Sequence, residues 1–225
     1  MRVRRIVGAA FVSLDGVMQA PGGPSEDTSG GFTEGGWQFK FPDSAGGEAI
    51  GDMLSGKYDL LLGRRTYDIF AAYWPYVQGE EAELGMTFTR ARKYVLTRSD
   101  RELPWENSHR LRGIEDIAAL KQDEGPELRV WGSSTIYPEL LAQGLLDRLR
   151  LLSYPVVLGK GKRLFGDGTR AQALKMVHHQ ATPQGTIITD YEPTGAMPQG
   201  HFDAPEPVTS ERELERQRRM TEGTW

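Results

Sequence analysis

Hydrophobic positions fall in short runs separated by glycine, proline and charge, and their period changes along the chain. Arg5–Leu14 (RIVGAAFVSL) is apolar on both faces, as a central strand covered from both sides must be. Tyr58–Leu62 and Lys93–Thr97 are shorter apolar runs that read as strands. Leu128–Tyr137 (LRVWGSSTIY) reads as a buried strand that ends on Gly132 and runs directly into a helix opened by Ser133, Ser134 and Thr135. Pro138 fits there, since proline is tolerated in a first helical turn. Helical spacing also marks Glu48–Ser55, the segment carrying Tyr67, Ile69 and Phe70 before Pro75, Glu80–Thr89, and Ile114–Lys121; the helix after Gly132 extends to about Gln143.

From Asp147 the pattern changes. Arg148–Val157 alternates in its first half, and Leu174–Ala181 and Thr186–Glu192 read as two strands joined at Pro183-Gln184-Gly185, a hairpin signal. Strand–helix alternation followed by antiparallel strands predicts an α/β fold of three αβα layers. Its sheet is mixed and mostly parallel, with an antiparallel C-terminal strand. No boundary falls inside residues 1–193.

Two segments break the periodicity. Asp15–Gly47 holds nine glycines and three prolines in 33 residues, together with Phe32, Trp37, Phe39 and Phe41. A loop that long is functional or disordered, and its aromatics favour function. Residues 194–225 form a polar, partly helical or disordered tail. Within it Ser210-Glu211-Arg212-Glu213 fits a capping box before a helix whose apolar anchors are Leu214 and Met220.

Composition narrows the classes. The chain has 225 residues, 38% hydrophobic and 26% charged, with a net charge of −4, so neither nucleic acid nor a polybasic membrane contact is expected. It has no cysteine, which excludes disulfides and thiolate chemistry and fits a cytoplasmic setting. Basic Met1–Arg5 before an apolar run superficially resembles a signal peptide, but the run has strand character and ends in Asp15-Gly16. No run approaches the roughly 18 apolar residues of a membrane span.

Three strands end on residues suited to phosphate: Leu62 before Gly63-Arg64-Arg65-Thr66, Leu96 before Thr97-Arg98-Ser99, and Trp131 before Gly132-Ser133-Ser134-Thr135. Each hydroxyl cluster alone would serve as an ordinary helix cap. Together, at the carboxyl ends of strands in an open sheet, they suit a dinucleotide. One helix terminus would take the pyrophosphate, and Arg64, Arg65 or Arg98 an extra phosphate on the adenosine ribose, which would select NADP over NAD. There is no G-x-G-x-x-G after the first strand, no P-loop ending at Gly159–Gly168, and no H-E-x-x-H, G-x-S-x-G or zinc-deaminase signature. The four histidines form no metal-ligand pattern, and no metal is expected.

In order along the chain, Ser13-Leu14-Asp15-Gly16-Val17, Leu61-Leu62-Gly63-Arg64-Arg65-Thr66-Tyr67, Trp74-Pro75, Trp131-Gly132-Ser133, Pro155-Val156-Val157-Leu158-Gly159 and Leu164-Phe165 resemble the dihydrofolate reductase superfamily. The closer likeness is to the branch holding the reductase half of the bifunctional riboflavin-biosynthesis deaminase–reductase and its stand-alone relatives, over roughly residues 3–193. The resemblance implies a dihydrofolate-reductase-like sheet with NADPH at the strand ends. Gly63, Arg64 and Thr66 would lie along the cofactor's phosphates. Thr97, Arg98 and Ser99 would meet the adenosine ribose and its 2′-phosphate. Gly132, Ser133, Ser134, Thr135 and Ile136 would hold the pyrophosphate, and Ala9 and Ala10 would flank the nicotinamide. A homodimer is also implied.

Dihydrofolate reductases place a carboxylate just after the long first loop. Asp43 and Glu48 lie in that region without an unambiguous match, so dihydrofolate itself is a doubtful substrate. The expectation is an NADPH-dependent reductase acting on a small pterin- or pyrimidine-like heterocycle. Asp15, Asp43 or Glu48 would polarise or protonate it, and Trp37 or Phe41 would pack on it as the first loop closes. The alternative is a non-catalytic nucleotide- or metabolite-binding module on the same fold.

Overall fold

The computed structural model describes residues 3–42, 44–198, 200 and 210–224. Eight strands form one sheet: β1 (Ile6–Ser13), β2 (Tyr58–Gly63), β3 (Lys93–Leu96), β4 (Ser108–Leu111), β5 (Glu127–Trp131), β6 (Arg148–Tyr154), β7 (Gln172–Ala181) and β8 (Ile187–Ala196). The order across the sheet is β4-β3-β2-β5-β1-β6-β8-β7. β1 to β6 run parallel, and β8 alone is antiparallel to both of its neighbours. The six helices are α1 (Ser44–Leu54), α2 (Arg64–Tyr73), α3 (Ala82–Arg90), α4 (Ile114–Gln122), α5 (Tyr137–Ala142) and α6 (Glu211–Glu222).

The alternation of side chains along each strand builds two cores. Ile6, Ala10 and Val12 of β1 join Leu61, Leu128, Val130 and Leu149 on the face covered by Ile117 and Leu120 of α4 and Leu140 and Leu141 of α5. Ala9, Leu60, Leu62, Val95, Trp131 and Leu152 face the other way, under Ala49 and Met53 of α1, Tyr67 of α2 and Phe88 of α3. The result is the expected three-layer αβα arrangement with a mixed, mostly parallel sheet.

Several boundaries differ from the sequence reading. Helix α1 begins four residues earlier than Glu48, at Ser44, so Gly46 and Gly47 are helical. Strand β6 stops at Tyr154 because Pro155 cannot continue the ladder. Strand β8 runs past residue 193 to Ala196. The edge strand β4 had no apolar run to announce it. The segment after Gly132 is not helical until Tyr137: Gly132 and Ser133 have φ of +61° and +64°, which a right-handed helix excludes.

The first loop is not structureless. Val17 bridges Arg163, Met18 N–H donates to the Lys162 carbonyl at 2.8 Å, and Leu164 N–H to that of Gly16 at 3.0 Å. The Gln19 amide nitrogen donates to the carbonyls of Asp27 and Ser29, both at 2.9 Å, and its oxygen accepts from Lys162 N–H at 2.9 Å. Val17, Phe32 and Trp37 are buried beneath these contacts. The tail helix α6 is capped as expected, Glu213 N–H donating to Ser210 Oγ at 3.2 Å, and it buries none of its residues.

Candidate functional site

The site lies at the carboxyl ends of the parallel strands, and its first part is a seam between β1 and β5. Their pairing ends with Ala9 opposite Trp131. There the buried Tyr137 hydroxyl accepts from Ala9 N–H at 3.0 Å and lies within donor distance of the carbonyls of Ala9 (3.0 Å) and Val130 (2.9 Å). The phenol thus satisfies backbone groups where the ladder stops, and burial pushes its pKa up. Gly8 makes room for it: a Cβ there would meet Tyr137 Cε1 at 2.4 Å. Ala9, one of the two alanines expected beside a nicotinamide, is therefore held by a tyrosine whose role the sequence does not announce.

Ser133 ties the end of β2 to the turn after β5. Its Oγ accepts from Gly63 N–H at 2.8 Å and donates to Thr66 Oγ1 at 2.9 Å. The left-handed backbone at Gly132 and Ser133 aims this hydroxyl, and a Cβ on Gly132 would crowd Thr66 Oγ1 at 3.2 Å. The N–H groups of Ser133, Ser134 and Thr135 have no acceptor among the described residues. Gly63 caps α2 without a side-chain bond, leaving first-turn N–H groups of that helix free as well. Two sets of unpaired donors thus lie together at the crevice outside these strand ends, a donor set that fits a pyrophosphate. A cradle for an anion would be formed by this turn and the start of α2, rather than by the first turn of α5, because α5 begins only at Tyr137.

Beside it, residues 97–101 form a braced loop. Thr97 Oγ1 accepts from Ser99 N–H at 3.1 Å, and Ser99 Oγ from Arg101 N–H at 3.2 Å. Three guanidinium groups hold its carbonyls: Arg110 that of Ser99, Arg112 that of Arg98 at 3.1 Å, and Arg64 that of Arg101 at 2.9 Å. The Arg64 side chain also pairs with Asp68 at 2.9 Å, so its Nε and Nη1 are committed to bracing the loop. Arg98 and Arg65 are exposed, and their guanidinium groups have no partner among the described residues.

The opposite end of the crevice is aromatic. Phe11 lies 6.4 Å from Trp131 and 6.3 Å from Tyr154, ring centre to ring centre, and Phe41 lies 6.1 Å from Tyr154. Trp37 is placed differently from the expectation that it would pack on a substrate. It is 1% exposed, its Nε1 donates to the Gln19 carbonyl at 2.9 Å, and its ring meets Tyr154 edge-on. It supports the loop from beneath. Phe41 remains half-buried at the crevice.

The candidate acids fare unevenly. Asp15 accepts from Ser13 Oγ at 2.6 Å and from the N–H groups of Leu158 and Gly159 at 3.1 and 2.8 Å, and it lies 3.7 Å from Arg163. The Ser13 hydroxyl, with the two amides, holds its pKa down to about 2 against desolvation, so it is a fixed carboxylate and a poor proton donor. Glu48 is exposed on α1, and Asp43 lies outside the described residues. No His/Asp/Glu group that could hold a metal exists among the described residues.

Comparison with known proteins agrees with this architecture. The family model described as the RibD C-terminal domain matches residues 4–188. The uncharacterised protein YyaP of Bacillus subtilis (strain 168) is 28% identical over 201 residues, covering 87% of this chain and 98% of its own. Among solved structures, a presumptive riboflavin biosynthesis protein of Shewanella sp. PV-4 superposes with a TM-score of 0.60 at 19% identity, over 84% of this chain and 98% of its own. A pyrimidine reductase-like protein of Corynebacterium diphtheriae follows at 0.54 and 15%, covering 84% and 92%. Dihydrofolate reductase of Enterococcus faecalis, complexed with NADP(H), gives 0.52 and 14%, covering 84% and 96%. With a dihydrofolate-reductase-like fold, the chain belongs to the RibD C-terminal domain family.

Proposed function

We propose that the protein is an NADPH-dependent reductase that transfers a hydride to a small heterocyclic substrate of pterin or pyrimidine type. The observation that carries this reading is the Ser133 clamp, which joins the segments after β2 and β5 around unpaired backbone donors, with the free guanidinium of Arg98 at the neighbouring end of β3. Gly63, Arg64 and Thr66, with Gly132 to Ile136, would hold the pyrophosphate. Thr97, Arg98 and Ser99 would hold the adenosine ribose and its 2′-phosphate. Ala9, held by Tyr137, and Ala10 would flank the nicotinamide, which supplies the hydride when bound. The chain's own contribution is orientation and exclusion of water at the aromatic end of the crevice.

A second reading, a non-catalytic sensor of a nucleotide or metabolite, is favoured by one observation: Asp15 is held as a carboxylate by its Ser13, Leu158 and Gly159 bonds. The two readings separate in one assay. Consumption of NADPH is followed with a panel of pterins, pyrimidine ribosyl compounds and small carbonyls. Turnover with any of them supports the reductase, whereas tight NADPH binding without oxidation by the whole panel supports the sensor.

A further inference from the structure

Three tryptophans are buried among the described residues: Trp37, Trp105 and Trp131. Two have their indole N–H satisfied within the fold, Trp37 by the Gln19 carbonyl at 2.9 Å and Trp105 by Thr89 Oγ1 at 3.2 Å. Trp131 does not. Its residue is 7% exposed, and its Nε1 is shut off from solvent with no acceptor among the described residues. A buried donor without a partner is destabilising, and such groups are few enough in native proteins that each calls for a physical reason.

Its position supplies one. Trp131 is the last residue of β5, opposite Ala9 and one residue before the Gly132 turn. It begins the row Trp131–Phe11–Tyr154–Phe41, whose successive ring centres lie 6.4, 6.3 and 6.1 Å apart across the ends of β5, β1 and β6. Phe11 and Phe41 are half-buried, so these are the rings free to turn aside. The row offers flat apolar contact, and Asp15, the acid fixed at the end of β1, has its oxygens committed elsewhere.

We propose that Trp131 is a substrate-recognition residue whose indole N–H donates to a carbonyl oxygen or imine nitrogen on the edge of a planar heterocycle stacked against Phe11. The proposal rests on the reductase reading above and adds a selection rule. A heterocycle with an acceptor at that edge is preferred over a carbocycle of equal shape, because the carbocycle leaves the buried N–H unpaired.

The test uses the full chain labelled with nitrogen-15 and lumazine, a pteridinedione, as the probe. The Trp131 indole resonance is identified by its loss in Trp131→Phe, or by sequential assignment of the wild type should that variant not fold. The expected result is a downfield shift of the Trp131 indole proton on saturation, with those of Trp37 and Trp105 unmoved. Trp131→Phe should bind lumazine roughly tenfold more weakly. Binding that leaves the Trp131 resonance in place overturns the proposal, and so does failure of lumazine to bind. NADPH titrated into the same sample separates the two ideas. Cofactor binding without lumazine binding defeats the recognition role alone, whereas loss of both defeats the reductase reading as well.

Discussion

Replacing Asp15 with asparagine separates a structural carboxylate from a catalytic one. Asp15 joins the end of β1 to the turn at residues 158–159 through three hydrogen bonds of 2.6, 3.1 and 2.8 Å, and its carboxyl is held at about 2 against an ordinary value of 3.8. That difference corresponds to roughly 2 kcal/mol of stabilisation at neutral pH, and because Asp15 keeps some access to water about 1–2 kcal/mol is the reasonable expectation. The sign follows from the lowered value. The contribution is complete above pH 3.8 and disappears as pH falls toward 2, where the folded carboxyl takes up its proton. Asparagine keeps one acceptor but sets an NH2 group against another donor. Urea unfolding of both proteins across this range should show Asp15→Asn about 1–2 kcal/mol less stable at neutral pH, with the gap closing near pH 2. Equal stability at neutral pH, or a gap that widens on acidification, would refute the clamp. A stable Asp15→Asn protein that binds NADPH but has lost turnover would make Asp15 the proton donor instead.

Other substitutions probe the frame of the site. Ser133→Ala removes the bonds to Gly63 N–H and Thr66 Oγ1; about 1–2 kcal/mol of unfolding free energy and weaker NADPH binding by titration calorimetry are expected. Gly8→Ala puts a methyl 2.4 Å from Tyr137 Cε1, and thermal unfolding should register a loss of about 1–3 kcal/mol. Arg4→Met strands the buried Asp59 carboxylate that Arg4 now pairs with, a loss of about 3–5 kcal/mol in denaturant unfolding. Adding Asp59→Leu should recover most of it.

The parallel strands and their helices were legible because each is an apolar run of the right length, and local rules suffice for those. Strand β4 (SHRL) was not, since its pairing with β3 rests on backbone bonds and only Leu111 is buried. The order of the first loop was equally hidden. It comes from Gln19, Trp37 and Lys162, whose partners stand far away in sequence or on the backbone. At the site, Gly63 and Ser133 were legible as residue types. The left-handed backbone that turns Ser133 toward Thr66 was not, because serine rarely adopts it and nothing in the sequence marks it. Nothing in the sequence marked out Tyr137, and only its distance to Ala9 reveals the strand clamp. Trp37 shows the converse. An aromatic in a glycine-rich loop suggested a ligand, and the residue serves as the loop's own core.

Arg98 is where the cofactor assignment can be read most directly. Its exposed guanidinium, unpartnered among the described residues, stands on the braced loop beside the cradle of unpaired backbone donors. Fluorescence titration of the wild type and Arg98→Ala with NADPH and NADH measures what that group contributes. The wild type is expected to bind NADPH at least tenfold more tightly than NADH, the size of about one charge-assisted hydrogen bond, and Arg98→Ala to remove most of the preference while leaving NADH affinity unchanged. Equal, weak affinity for the two nucleotides, unaltered in Arg98→Ala, would contradict it.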